Sequence, residues 1–61
     1  MIKQVTVTFR YMKAYSYTVK YASGRVRFYS EKTKPKTVDN FIRGRSSRIE
    51  NRKGSIELIY E

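Results

Sequence analysis

YSYTVKYASGRVRFY, residues 15–29 of a 61-residue chain, alternates large apolar and polar side chains on both sides of a Ser-Gly pair. Successive side chains of a strand point to opposite sides of the pleat, so period-two alternation marks a strand with one buried and one wet face. Two such runs joined through Ser23-Gly24 predict a hairpin. A two-residue loop there sets Ala22 opposite Arg25, Tyr21 opposite Val26 and Val19 opposite Phe28, with Lys20 facing Arg27 and Thr18 facing Tyr29. The apolar and polar faces of the two strands then agree from Tyr21 to Thr18, the agreement between turn and pattern that a foldable sequence has.

Upstream, Val5, Val7, Phe9 and Tyr11 alternate with Thr6, Thr8 and Arg10, a further strand of the same period. A three-residue connection Met12-Lys13-Ala14 pairs Tyr11 with Tyr15, Phe9 with Tyr17 and Val7 with Val19. On that register Tyr11, Tyr15, Tyr17 and Tyr21 become core-rim residues with wet hydroxyls. Downstream, EKTKPKT at 31–37 is polar, Lys-rich and holds the only Pro, which reads as a flexible loop. Thr37 then caps a short helix over 38–43, with Asp39 in its first turn, Gly44 after its end and Val38, Phe41 and Ile42 as its apolar stripe. Six residues do not sustain a helix in water, so it must dock on the sheet.

The C-terminal third admits two readings. In the preferred one, Asn51-Arg52-Lys53-Gly54 is a four-residue hairpin loop and residues 47–50 pair with 55–60. In the other the helix runs on to residue 52 and uses Ile49, against the poor helix residues Gly44, Ser46 and Ser47. The last run, SIELIYE, has Ile56, Leu58 and Tyr60 on one face, and Ile59 alone among acids on the other, which suggests a covered strand or a self-association edge. The expected fold is one mainly β (α+β) domain over 1–61, in the order β-β-β-α-β-β, as a small antiparallel sheet or an OB-like or SH3-like barrel. The alternative is a three-stranded sheet with a longer helix 38–52 and a last strand, a layout by which some DNA-binding domains lay a sheet in the major groove.

Composition limits the chemistry. With neither Cys nor His, the chain has no disulfide, no thiolate metal site and no imidazole base. The five acids are scattered and no phosphate-binding loop or nucleophile motif is present, so no cofactor, no metal and no enzymatic activity are expected. No run approaches about 18 apolar residues and the N-terminus lacks an apolar signal region, which points to a cytoplasmic protein with no membrane partner. Fourteen Lys and Arg against five acids give a net charge of +9 and a pI near 10.2. Repulsion of that size works against a compact monomer, so the charge is read as an attractor for a polyanion.

Residues 1–30 hold no acid at all. The wet face of the first three strands is expected to carry Thr6, Thr8, Arg10, Thr18, Lys20, Arg25, Arg27 and Tyr29, where Arg and Lys meet phosphates and Tyr29 stacks on a base. A Lys group (Lys32, Lys34, Lys36) suits a backbone-tracking arm, and an Arg-rich group (Arg43, Arg45, Arg48, Arg52, Lys53) suits bidentate contacts. The leading expectation is a small accessory or regulatory protein that binds nucleic acid, DNA before RNA, through phosphate contacts. The alternative is an inhibitor or adaptor that docks its basic face on an acidic or nucleic-acid-binding protein. Small size and the apolar last strand leave a homodimer open.

Overall fold

The computed structural model describes residues 1–53 and 55–61. Strands β1 (Ile2–Arg10), β2 (Lys13–Tyr21) and β3 (Val26–Ser30) precede helix α1 (Lys36–Ile42), and β4 (Ser47–Arg52) and β5 (Ser55–Tyr60) follow it. All pairings are antiparallel in one sheet of order β3-β2-β1-β5-β4. The mainly β, β-β-β-α-β-β architecture expected from the alternation is therefore what the chain forms. The sheet stays open, with β3 and β4 as its edges, so it does not close into a barrel. The longer helix 38–52 is not formed: Gly44 sits at φ +76°, beyond the end of α1, and residues 47–52 are strand β4.

Val5, Val7, Tyr17 and Val19 line up on one face of β1 and β2, where Val38 of α1 closes over them. Phe41, Ile42, Leu58 and Tyr60 pack around this small core. We call this face the helical side; the other face, the open side, carries no helix. Helix α1 starts at Lys36, two residues before the expected 38, with Pro35 as its N-cap and no side-chain cap bond, so Thr37 lies in the first turn instead of capping it. A Pro suits that place because its φ is preset and it brings no N–H that needs a partner. The loop before the helix is folded where a flexible arm was expected. The Ser30 N–H donates to Thr33 Oγ1 at 2.9 Å and the Lys34 N–H to the Ser30 carbonyl at 3.1 Å.

Three registers differ from the sequence reading. In the β2–β3 hairpin the loop has three residues, Ala22-Ser23-Gly24: the Gly24 N–H donates to the Tyr21 carbonyl and the Tyr21 N–H to the Arg25 carbonyl, both at 2.9 Å, with Gly24 at φ +96°. This is a turn followed by a left-handed bulge residue, the commonest three-residue hairpin loop. It shifts β3 by one residue, so Tyr17 faces Tyr29, Val19 faces Arg27 and Thr18 faces Phe28. A one-residue slip exchanges the faces of a strand. Arg27 and Tyr29 thus lie on the helical side and Val26 and Phe28 on the open side, the reverse of the expectation.

The β1–β2 register is shifted by two, which keeps the faces: Val5 pairs with Val19 and Val7 with Tyr17. The hairpin closes through Tyr11-Met12 at φ +53° and +65°, and a bulge at Tyr15 absorbs the extra residue between the Thr8–Ser16 and Phe9–Ala14 pairs. Tyr17 is accordingly buried, whereas Tyr11 and Tyr15 are exposed and do not form the core rim. In the last hairpin β4 runs on to Arg52, which pairs with Ser55, so the loop is shorter than the four residues expected. The expected bulge at Gly54 lies outside the described residues. Strand β5 is an interior strand, and Ile59 is 7% exposed on the open side between its pair partners Thr6 and Arg48. It is the covered strand of the two readings given for Ile59; the edge is β4.

Candidate nucleic-acid interface

Of the residues expected to share one wet face, Thr6, Thr8, Thr18 and Lys20 do share it on the open side, with Arg10 at its end stacked over the Tyr15 ring at 4.5 Å. Arg25, Arg27 and Tyr29 do not join them. They lie on the helical side and line a shallow concavity with Met1, Tyr21 and Ser23. A second concavity shares Met1 and Tyr21 with the first and continues over Thr37, Asn40, Phe41 and Arg45. Together they form a trough between β3 and the end of α1, lined by three arginines. The Arg45 guanidinium stacks 4.0 Å above the Phe41 ring, which fixes it at the trough wall. A hydrogen bond with Tyr29 pushes the Tyr21 phenol above its ordinary value, so Tyr21 remains a neutral hydrogen-bonding group through the physiological range.

The remaining candidates separate by partner. Arg43 caps the C-terminus of α1 and Lys53 sits in the last turn, both exposed. Arg48 donates to Glu61 at 2.8 Å and lies 3.8 Å from Glu50; Arg52 lies 3.7 Å from Glu50 and 3.8 Å from Glu57. Gln4 also donates to Glu61 at 2.8 Å, and Arg48 first, then Gln4, holds the Glu61 carboxyl below its usual range. These two arginines thus sit in an ion-pair ladder along β4 and β5. Lys34 is also committed inward. Its ammonium meets Asp39 at 2.8 Å, Glu31 at 3.3 Å and the Tyr17 hydroxyl at 3.1 Å, and the Tyr17 hydroxyl donates to Glu31. Lys32 and Lys36 are exposed beside it.

The charge balance follows. All five acids are engaged by three cations, Lys34, Arg48 and Arg52. Of the fourteen Lys and Arg, the other eleven have no acid within ion-pair reach among the described residues. Residues 47–61 contain three cations and three acids, so the whole +9 resides on residues 1–46.

Phe28 escaped the sequence reading, which buried it against Val19; it is 74% exposed on the open side beside Thr18. The signal was Gly24 as the third residue of a loop, a position that wants a positive φ, where the reading had placed it second. No family model matches the chain, and no curated protein or solved structure matches it.

Proposed function

We propose that the protein binds nucleic acid, DNA in the first place, as a non-enzymatic accessory or regulatory factor of the cytoplasm. The observation that carries this reading is the excess of eleven cations left without an acid once the five acids are engaged, all but one of them, Lys53, within residues 1–46. A field of that sign and density draws phosphates, and release of their counterions supplies the affinity. The trough on the helical side is the favoured seat. Arg25, Arg27 and Arg45 offer forked donors to phosphate oxygens, and Tyr21 and Tyr29 offer ring faces and hydroxyls within the same hollow. The open side, with Lys20, Arg10 and the hydroxyls of Thr6, Thr8 and Thr18, supplies a second basic surface.

The test is binding of labelled duplex DNA, single-stranded DNA and RNA across a salt series. We expect log affinity to fall against log salt with a slope of about −4 or steeper. Arg25→Ala with Arg27→Ala should make that slope shallower by about 1 for each phosphate contact removed. If Arg10→Ala with Lys20→Ala does this instead, the seat is the open side. Binding that vanishes near physiological salt for all three ligands rejects the nucleic-acid reading and favours docking on an acidic protein. One observation supports that second reading: Tyr11 and Met12, 91% and 96% exposed, form an apolar hairpin tip beside Phe9, Ile56 and Leu58, a surface a protein partner would cover.

A further inference from the structure

An edge strand presents a row of backbone N–H and C=O groups to any chain that can pair with them, and proteins usually guard that row with Pro, a bulge or charged side chains, Lys above all. Strand β4, SRIENR, has no Pro, no bulge and no Lys, its charges are of both signs and can match a copy of themselves, and its pairing with β5 runs from Ser47 to Arg52 without a shift. We propose that β4 pairs antiparallel with β4 of a second copy of this chain, about a two-fold axis at Ile49, so that the two sheets become one.

The register follows from symmetry and charge. A two-fold axis normal to the sheet keeps every residue on its own face, so one residue of the strand must lie on the axis. With Ile49 there, it meets its own copy on the helical side, and Ser47 meets the partner's Asn51. On the open side Arg48 then meets the partner's Glu50, and Glu50 meets the partner's Arg48. With Glu50 on the axis, Glu50 would face itself and Arg48 would face the partner's Arg52, which is repulsive throughout. An axis at Asn51 has as many charge matches, Glu50 with the partner's Arg52 and the reverse, but pairs only three strand residues and sets Ile49 against the partner's Lys53. The Ile49 register is therefore the longest one with matched charges.

The surroundings favour this edge. Residues 47–61 are charge-balanced, whereas the whole +9 lies on residues 1–46 and β3 carries Arg27 with Arg25 before it and Glu31 after it, so two copies meeting at β3 would bring net positive segments together. Ile49 is 67% and Ile56 48% exposed on the helical side, and Leu58 pairs with Ile49; α1 does not reach this end. Pairing covers Ile49 with its copy and extends an apolar strip across the seam, while Arg25 and Arg27 beside and on β3 stay at the far edges of the doubled sheet.

Sedimentation equilibrium of the full chain at physiological salt, from micromolar to millimolar, should give a species of twice the 7.3 kDa chain mass. Ile49→Lys, a change at an exposed position, should weaken the dimer at least tenfold while the circular dichroism spectrum keeps its form. A second measurement uses the absence of cysteine. Directly facing residues have Cβ atoms about 4.5–5.5 Å apart, close enough for a disulfide after slight adjustment. Ile49→Cys should thus cross-link under mild oxidation much faster than Phe28→Cys on the other edge. A chain that stays monomeric at millimolar concentration, a dimer indifferent to Ile49→Lys, or equal cross-linking rates at the two edges would each overturn the proposal.

Discussion

Lys34 is the only lysine that is not exposed, and its environment explains why one of the cations does no work at the surface. Its side chain is 16% exposed, while Asp39 and Glu31 are 42% and 55% exposed, so the ion pairs are largely wet and worth little. The hydrogen bonds that end on the buried Tyr17 phenol weigh more. Lys34→Met, which keeps the apolar stem, should cost about 1–2 kcal/mol, read as a lower chemical-denaturation midpoint. The pH dependence follows from the same contacts. The Tyr17 hydroxyl first, then Lys34, holds the Glu31 carboxyl below its ordinary value, so its contribution is complete above the unfolded carboxylate pKa of about 4.5 and is lost as pH falls through the depressed folded value. Lys34 is raised, chiefly by Asp39, so its contribution is complete below its ordinary 10.5 and fades only as pH climbs past that. Glu31→Gln should remove that contribution from neutral pH upward and so flatten the acid limb of a stability–pH curve; an unaltered acid limb would exclude Glu31 from it. Strain lies at another residue pair. Tyr11 and Met12 hold positive φ, where Asn-Gly is the favoured pair, and an L side chain there costs roughly 1–2 kcal/mol. Tyr11→Asn with Met12→Gly should therefore raise the melting temperature by several degrees. If affinity for the partner falls at the same time, the exposed pair is kept for contact, as strained positions often are.

At the level of elements, the alternation in residues 5–29 made the three strands legible, and the balance of turn residues at Gly44 and 51–54 made the last hairpin legible against a long helix. Faces were a different matter, because a strand's face depends on one residue of loop length. In β1–β2 the error was even, so Val5, Val7, Tyr17 and Val19 remained core partners despite the wrong pairing. In β2–β3 it was odd, and the basic plate read from the sequence split into Lys20 with the threonines on one side and Arg25, Arg27 and Tyr29 on the other. Local hydrophobicity argued for burying Phe28, yet α1 is only seven residues long and does not reach the face of β3 fully enough to demand it. The long-range ion pair of Arg48 with Glu61 and the hydrogen bond from Lys34 to the Tyr17 hydroxyl were not legible at all, since they depend on which strands become neighbours. The loop that decides the face can be tested. Gly24→Ala puts a Cβ at φ +96° with open space around it, so any cost is backbone strain: about 1–2 kcal/mol and a lower melting temperature, while Ser23→Ala should change little. Equal effects at both positions would mean that the bulge residue does not set the register.

For the molecule as a whole, the dimension that matters is its size against the reach of its charge. The chain extends 30 × 23 × 22 Å. The Debye length is about 30 Å at 0.01 M salt and about 8 Å at 0.15 M, so at low salt every unpaired cation feels all the others and at physiological salt only its near neighbours. Unfolding lets those charges move apart, and a net +9 on 61 residues should make the folded state weakest in dilute buffer. The melting temperature, measured at a chain concentration low enough that pairing through β4 does not contribute, should rise by several degrees between about 0.01 and 0.15 M salt. Over the same range affinity for nucleic acid should fall, because screening and counterion competition weaken phosphate contacts. Stability and binding thus respond to salt with opposite signs, and Arg25→Ala with Arg27→Ala should shift both: higher melting temperature in dilute buffer, weaker binding throughout. A short oligonucleotide added at low salt should stabilise the wild type more than this variant, since a ligand that binds only the folded state stabilises in proportion to its affinity. A melting temperature that falls with salt would mean that the ion pairs of Lys34, Arg48 and Arg52 outweigh the repulsion. The excess charge would then be no burden on the fold, and the case for a polyanionic partner would lose its physical basis.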